Sequence, residues 1–249
     1  MPLDLNVCLI FNYHFYLNET RYDCNKLAQN IIRGDEAAMK LTGRTFIARH
    51  GETVYNAAAT MQGDHPHTPL TRAGFAQADA MGKSLSNWLG TQQTLTLWSS
   101  PYGRTLQTLA VIAEHIGADW HEAHSDERLR EIGVGRWSGK RYSDIIAAQG
   151  AIMDPDTSLF SVRPPGGEWY DEIAVRLSEW ITDVRHERAD RLVIMHGMSA
   201  RVLRGLLLDL PVDSVYGAPI AANLPQGSLV MIGGGVEKII YTGGGVDHA

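Results

Sequence analysis

Arg49 and His50 stand at the end of an apolar run, and their side chains are suited to chemistry on an anion. Residues 46–48 have the composition of a buried strand, and Gly51 allows a tight turn directly after it. In open α/β sheets, ligands bind outside the carboxyl ends of the strands. Because imidazole can attack phosphorus and a guanidinium can neutralise phosphate oxygens, this pair predicts a phosphate site.

His196 and Gly197 repeat this arrangement later in the chain. Residues 191–195 form a second apolar run, which ends at His196 as the first run ends at His50. Since the carboxyl ends of parallel strands meet at one edge of a sheet, both histidines are predicted to lie on the same rim. We expect Ser199 to cap the helix that follows.

Two further polar residues belong to the candidate set. Arg104 falls in the first turns of a helix that we expect to begin at Pro101, with Ser100 as its cap. An arginine there strengthens an anion site, because a helix N-terminus already carries partial positive charge. Glu131 precedes a glycine-rich turn, although a loop carboxylate taken alone is weak evidence for a site.

Histidine pairs at 65/67 and 121/124 offer a different chemistry, that of a metal-dependent hydrolase. No carboxylate-bearing metal-binding motif surrounds either pair, so the pattern favours polar loop histidines and predicts no metal site. Activity that survives a chelator and is blocked by vanadate separates the two hypotheses.

Helix and strand patterns alternate through most of the chain. This alternation predicts an α/β protein with three layers, α/β/α, around a mostly parallel central sheet. Residues 153–167 are rich in Pro, Gly and Asp and are predicted to be a loop. The predicted helices cover 71–89, 141–149, 169–188 and 199–208, and the predicted strands cover 94–98, 118–123, 191–195 and a hairpin of 226–232 with 236–241.

The composition limits the range of functions. The chain has 249 residues with 44% hydrophobic and 20% charged residues, which is enough to form a sizeable core. A net charge of -6 without a basic block argues against nucleic acid as a partner. No span approaches the length of a membrane helix, and Cys8 and Cys24 are more readily interpreted as free thiols than as a disulfide. We therefore expect a cytoplasmic protein without membrane contact.

Residues 1–43 differ in character from the rest of the chain, with an aromatic-rich run followed by a predicted helix from Cys24 to about Met39. We interpret them as an N-terminal extension, and 44–249 as the catalytic domain. The extension is expected to be a loosely packed appendage or the product of an over-extended reading frame. The alternative is a dimerisation arm, which would make the protein a homodimer.

Taken together, these motifs resemble the histidine phosphatase superfamily, also called the phosphoglycerate mutase-like family. They occur in that family's order over about residues 44–232, and an ordered set of this length is far more specific than any one motif. The matching positions are residues 49–53 with Asn56, Gln62 and Gly63, residues 69–71 with Gly74 and Gln77, residues 99–101 with Arg104, Glu131 with Gly135 and Trp137, residues 166–168, and His196 with Gly197.

The resemblance implies a phosphoglycerate mutase-like fold and a role for each matching residue. His50 would be the nucleophile that becomes phosphohistidine, and Glu131 would be the proton donor and acceptor. The phosphate pocket would be lined by Arg49, Arg104 and His196. Contacts to phosphate or to the substrate beyond it would come from Asn56, Gln62, Gly63 and Gly197.

The implied activity is that of a histidine acid-type phosphatase, which hydrolyses small phosphorylated metabolites without metal or cofactor. A cofactor-dependent phosphoglycerate mutase is the main alternative, and a catalytically silent binding protein on the same fold is a second one. The interval Ile132–Pro165 is short and lacks an adjacent arginine pair, which favours the phosphatase over the mutase. Trp169 stands where the family usually has serine, and it would either reshape the substrate end of the pocket or pack in the core.

Overall fold

The computed structural model describes most of the chain. The described ranges are 41–91 and 95–245, together with the backbone of 15–17 and 20–22. Both cysteines and the helix predicted after Cys24 lie outside the described residues.

The chain divides into two units, Met1–Lys40 and Leu41–Ala249. In the first unit, strand β1 (Phe15–Leu17) pairs antiparallel with strand β2 (Thr20–Tyr22). The proposed domain boundary after residue 43 and the role of the N-terminal segment stay predictions.

The second unit is built around one large sheet. Its strands are β3 (Thr45–Arg49), β4 (Thr96–Ser99), β5 (His124–Ser125), β6 (Arg191–Met195), β7 (Val212–Asp213), β8 (Ala218–Pro219), β9 (Leu229–Gly233) and β10 (Val236–Tyr241). Strands β7 and β8 pair with each other, and the other six form a sheet in the order β10-β9-β3-β6-β4-β5. Pairing is parallel from β3 through β6 and β4 to β5, whereas β9 and β10 form an antiparallel hairpin beside β3. The prediction of a mostly parallel sheet with this hairpin is confirmed.

Helices connect the strands of this sheet. They are α1 (Val54–Ala57), α2 (Arg72–Leu89), α3 (Gly103–Ile116), α4 (Tyr142–Gln149), α5 (Tyr170–Val184) and α6 (Gly197–Leu207). The predicted helices over 71–89, 141–149 and 169–188 are thereby confirmed, with ends that differ by a few residues. In the part of the chain that the structure describes, no helix has both the length and the hydropathy needed to cross a bilayer.

The core is divided between the two faces of the sheet, because successive strand side chains point in opposite directions. On one face, Leu97 of β4 belongs to a buried cluster with Met81 of α2 and Leu109 of α3. On the other face, the neighbouring Trp98 packs edge-on against Trp180 of α5, with ring centroids 5.6 Å apart. Helices therefore cover both faces, which confirms the predicted three-layer architecture.

Two glycines bring the end of β3 into close contact with the start of α2. A Cβ atom on Gly51 would lie 2.2 Å from the carbonyl oxygen of Gly74, and one on Gly74 would lie 2.0 Å from that of Glu52. Thr71 caps α2 as predicted, since its hydroxyl accepts a hydrogen bond from the N–H of Gly74. The turn after His50 is therefore held against the beginning of a long helix.

The prediction of a strand over 118–123 is wrong. Trp120–Glu122 form a single 3-10 turn, and strand β5 covers His124–Ser125. The carboxylate of Asp119 accepts a hydrogen bond from the N–H of His121, which stabilises the turn. Aspartate favours turns through such local bonds, and here they outweigh the strand-like composition of the segment.

Candidate active site

The two His-Gly motifs lie side by side at one end of the sheet. Strands β3 and β6 pair in parallel register, with Arg49 opposite Met195, so the residues that follow them are neighbours. The N–H of His50 continues this pairing by donating to the carbonyl of Met195. The ring centroids of His50 and His196 are 5.2 Å apart, which confirms the prediction of a shared rim.

The His50 imidazole is buried and held in one tautomer. Its Nδ1 lies 2.7 Å from the carbonyl oxygen of Gly51. A carbonyl can only accept, so Nδ1 carries the proton and Nε2 keeps its lone pair. Burial, followed by the positive charges of Arg104 and Arg49, lowers the pKa of His50 well below 6.5. The nitrogen suited to nucleophilic attack is therefore unprotonated at neutral pH.

Arg49 is fixed beside this ring by the chain segments that follow β6 and precede β9. Its Nη1 donates to the carbonyl of Leu224 over 3.2 Å, and its backbone N–H donates to the carbonyl of Ser228. A Cβ atom on Gly197 would lie 3.2 Å from Cζ of Arg49. Glycine at 197 therefore lets the guanidinium lie directly against the start of α6.

Arg104 is fully buried and connects His196 to the loop before α2 through hydrogen bonds. Its Nε donates to Nδ1 of His196 over 3.1 Å, and its terminal nitrogens donate to the carbonyls of Gly63 at 2.7 Å and His65 at 2.6 Å. A further bond runs to the hydroxyl of Thr68. Burial lowers the pKa of Arg104 to about 10, so the side chain stays charged at neutral pH.

His196 is held in the opposite tautomer to His50. Because its Nδ1 accepts from Arg104, the proton lies on Nε2, which donates to the hydroxyl oxygen of Ser100 over 2.9 Å. Burial and then the charge of Arg104 lower the pKa of His196 well below 6.5. Our expectation that Ser100 caps α3 is wrong, because Tyr102 is the N-cap residue and the hydroxyl of Ser100 is used by His196.

The burial of two neutral histidines predicts acid sensitivity of the fold. Below pH 6.5 the unfolded chain binds protons that the native chain excludes, so the free energy of unfolding falls as the pH falls. The expected loss reaches about 1.4 kcal/mol per pH unit for each histidine. Urea unfolding between about pH 5 and 7.5 measures this slope in wild type and in His50→Gln. Equal slopes in the two proteins would contradict the assignment of His50.

Glu131 is bound to the first turn of α6. Its Oε1 accepts from the N–H groups of Ile132 at 3.0 Å and Ser199 at 2.9 Å, and its Oε2 accepts from the N–H of Met198 at 3.1 Å. The expectation that Ser199 caps α6 is therefore wrong. His196 occupies the N-cap position without a side-chain bond, and a carboxylate from a distant loop satisfies the free N–H groups.

An ion-pair network that the sequence analysis missed supports the loop that carries Glu131. Arg176 of α5 is buried and donates to both carboxylate oxygens of Glu168, at 2.8 and 3.0 Å, and also to the carbonyl of Arg128. Arg130 pairs with the same carboxylate at 3.0 Å. The helical period predicts that Arg176 is buried, because it lies three residues after Ile173 on the buried face of α5.

Two amide side chains have their oxygens turned towards Thr53. The Thr53 hydroxyl lies 2.8 Å from Oδ1 of Asn56 and 2.6 Å from Oε1 of Gln62. Gln226, which the sequence analysis also missed, donates to Oδ1 of Asn56 over 2.8 Å. The NH2 groups of Asn56 and Gln62 are therefore the donors that remain for a ligand.

One cleft brings most of the predicted residues together. Its wall includes seven of them: Arg49, His50, Asn56, Gln62, Gly63, Glu131 and Gly197. Arg104 and His196 lie behind this wall and reach it through the carbonyl of Gly63 and the ring of His50. Trp169 is not among the lining residues, because it packs against Tyr170 and Tyr216 with centroid distances of 5.0 and 6.2 Å.

Two of the four histidines considered as metal ligands pack against tryptophan rings. His124 packs against Trp98 at 4.6 Å, and His121 packs against Trp120 at 4.7 Å. Across the described ranges, no three His, Cys, Asp or Glu side chains group together as metal ligands would.

The order and geometry of these residues agree with a known family. The sequence model of the family described as histidine phosphatase superfamily (branch 1) matches residues 45–235 of this chain. The chain belongs to the histidine phosphatase superfamily. This match covers the whole candidate site, from β3 to the end of β9.

Two curated relatives within the histidine phosphatase superfamily are phosphatases. Fructose-2,6-bisphosphatase TIGAR of Xenopus tropicalis is 36% identical over 138 residues, which are 54% of this chain and 46% of that protein. The alignment therefore spans less than half of that relative's length. Glucosyl-3-phosphoglycerate phosphatase of Mycolicibacterium vanbaalenii is 31% identical over 202 residues, which are 77% of this chain and 84% of that protein.

The solved structure of a mycobacterial glucosyl-3-phosphoglycerate phosphatase with VO3 has the same fold. It superposes with a TM-score of 0.64 and 26% identity, covering 82% of this chain and 100% of that one. The two proteins thus share a fold over most of this chain.

Proposed function

We propose that this chain is a histidine acid-type phosphatase that hydrolyses small phosphomonoesters without a metal and through a phosphohistidine at His50. The observation that carries the proposal is the buried, neutral ring of His50, which has an unprotonated Nε2 and lines the same cleft as Arg49. Membership of the superfamily and its two phosphatase relatives support this assignment.

The arrangement supports a two-step displacement. Nε2 of His50 attacks phosphorus, and Arg49 in the cleft wall stabilises the charge on the phosphoryl oxygens as the ester bond breaks. The positive charge of Arg104, which is buried behind the wall, adds to this stabilisation at longer range. Glu131 lies in the wall of the same cleft and gives a proton to the departing ester oxygen. In the second step the ionised carboxylate takes a proton from water, whose oxygen attacks phosphorus and releases phosphate from His50.

The setting of the enzyme is part of the same proposal. Its substrate partner is a small-molecule phosphomonoester, bound without a cofactor, and its compartment is the cytoplasm. The net charge of -6 supports a protein that does not bind nucleic acid. A homodimer formed through the N-terminal segment is the oligomer that we propose to test by light scattering of the full chain.

A panel of phosphomonoesters assayed for phosphate release in the presence of EDTA tests the proposal. We expect release to persist with the chelator and to be inhibited by vanadate, an oxyanion that resembles the transferring phosphoryl group. Activity that disappears with EDTA would instead support a metal-dependent hydrolase. Interconversion of 2- and 3-phosphoglycerate, in the presence of the bisphosphate cofactor and faster than hydrolysis, would support the mutase alternative.

Glu131→Gln is expected to reduce turnover of alkyl phosphates far more than turnover of p-nitrophenyl phosphate. An alkoxide needs a proton to leave, whereas p-nitrophenolate leaves without one, so loss of the acid is expected to cost about 10²–10⁴-fold on alkyl esters alone. The amide oxygen can still accept from Ile132 and Ser199, which preserves most of the binding of this side chain to α6. Equal losses on both substrates would show that Glu131 is not the acid.

A further inference from the structure

We propose that the outer part of the cleft binds an uncharged, largely apolar leaving group. The preferred substrates are then alkyl or aryl phosphomonoesters, and esters that carry a second carboxylate or phosphate are disfavoured. This inference rests on the proposed phosphatase function and narrows it to a class of leaving group.

The first observation is the chemistry of the cleft wall. Beyond Arg49 and His50, the wall combines polar side chains with six apolar ones: Met61, Ile132, Val134, Met153, Phe160 and Met198. Four of these six are almost fully buried, so the exposed apolar surface comes from Met153 and Met198. Met153, Met198 and the lining residue Tyr142 are only half buried, so thioether and aromatic surface is available to a ligand. Thr60, Ser158 and Asn223 add uncharged polar groups to the wall, whose acidic residue is Glu131.

The second observation is the distribution of positive charge. Of the lining residues that the structure describes, Arg49 is the only lysine or arginine. Two arginines of adjacent segments are committed to other partners: Arg163 bonds to Glu172, and Arg201 donates to the carbonyls of Ala221 and Thr157. A second anion on the substrate would therefore be desolvated beside apolar groups without a fixed counter-charge.

Two further cations lie close to the cleft wall in the sequence. Lys140 and Arg141 precede the lining residue Tyr142, and both side chains are exposed to solvent and absent from the wall. Exposed lysine and arginine side chains are flexible, and an ion pair formed at a solvated surface contributes little binding energy.

The third observation is that the apolar wall is fixed in place by a buried tyrosine. The hydroxyl of Tyr170 accepts a hydrogen bond from the N–H of Phe160 at 2.7 Å and lies 3.7 Å from Sδ of Met198. The ring of Phe160 also packs edge-on against Trp137, with centroids 5.6 Å apart. The site for an apolar group is therefore largely preformed, while the methionines can adjust to its shape.

A series of n-alkyl phosphates tests the inference, because the leaving alcohols are of nearly equal acidity. From ethyl to butyl to hexyl phosphate, kcat/KM is expected to rise about two- to fourfold per methylene until the wall is covered. At equal chain length, replacement of the terminal methyl by carboxylate is expected to lower kcat/KM by about tenfold or more. A flat series, or faster turnover of the carboxylated esters, would overturn the inference.

Variants test whether the preference for alkyl over carboxylated esters is set by the cleft wall. Met153→Lys is expected to raise kcat/KM for the carboxylated ester relative to the alkyl ester by about tenfold, because it supplies the missing charge. Val236→Ala, at an exposed position of β10, is the control and is expected to leave that ratio unchanged. If the double variant Lys140→Ala/Arg141→Ala lowers turnover of the carboxylated ester alone, these cations bind a second anion and the inference is wrong.

p-Nitrophenyl phosphate distinguishes failure of the proposed phosphatase function from failure of the inference about the leaving group. If wild type fails to hydrolyse it and every other ester, the proposed phosphatase function fails. If wild type hydrolyses it but shows no preference for alkyl over carboxylated esters, only the inference about the leaving group fails.

Discussion

Replacement of His50 by alanine is expected to lower kcat for p-nitrophenyl phosphate by about 10⁴-fold or more, as loss of a covalent nucleophile does in other enzymes. Among the described residues of the cleft wall, His50 is the only histidine. Its ring is buried and neutral, and its Nε2 carries no proton. Water can replace a nucleophile only poorly, because it must be positioned and deprotonated in the same step. Residual activity above about 1% of wild type would contradict the assignment.

Two further measurements separate loss of chemistry from loss of structure in His50→Ala. Acid-quenched mixing with radiolabelled substrate is expected to trap a phosphorylated protein in wild type and none in the variant. The carbonyl of Gly51 keeps its hydrogen bond from Gln226, so the variant is expected to fold with wild-type circular dichroism. His121→Ala, in an exposed turn, is the matched control and is expected to retain full activity.

Arg104→Ala is expected to reduce kcat/KM by about 10³-fold, which is typical for removal of a charge-stabilising group. The same change is expected to destabilise the fold. The buried carbonyl of Gly63, the partly buried carbonyl of His65 and the Nδ1 of His196 each lose a donor, at about 1–3 kcal/mol for each buried group left unsatisfied. Urea unfolding and steady-state kinetics on the same preparation measure the two effects.

The pH dependence of Arg104→Ala gives a readout that destabilisation alone would not change. The charge of Arg104 helps to lower the pKa of both His50 and His196. Its removal is expected to raise the pKa of His50, so the acid limb of the kcat/KM profile moves to higher pH. Arg104→Lys, which keeps the charge but has no fork of donors, is expected to restore the position of this limb. Arg163→Ala, at an exposed ion pair, is expected to leave the profile unchanged.

The parts of the site that the sequence predicted are those set by strand patterning. An apolar run that ends in His-Gly identifies a buried parallel strand and the edge where it ends, so His50 and His196 were placed on the correct rim. The position of Arg104 near a helix start placed it close to them. The same patterning predicted the mostly parallel sheet and the covering helices.

The errors within the site concern residues that have partners distant in the chain. Ser100 and Ser199 are of a residue type that commonly caps helices. A prediction from neighbouring residues alone cannot include the competing groups that folding brings close to them. The hydroxyl of Ser100 is bound to His196, and the N–H of Ser199 is bound to Glu131, which lies 68 residues away. Arg176 was missed for a related reason, because it also donates to the carbonyls of Arg128 and Glu131, which only the packing of α5 against their loop brings within reach.

The segment 153–160 contributes Met153, Ser158 and Phe160 to the cleft wall, yet it takes no part in the hydrogen bonds that hold His50, Arg104 or Glu131. Substitutions there can alter which alcohol is accepted while the reacting groups stay in place. Because the reacting groups and this part of the substrate-binding wall are held separately, the scaffold is evolvable. The reaction is inherited intact, and new substrates are acquired through mutation of a single short segment.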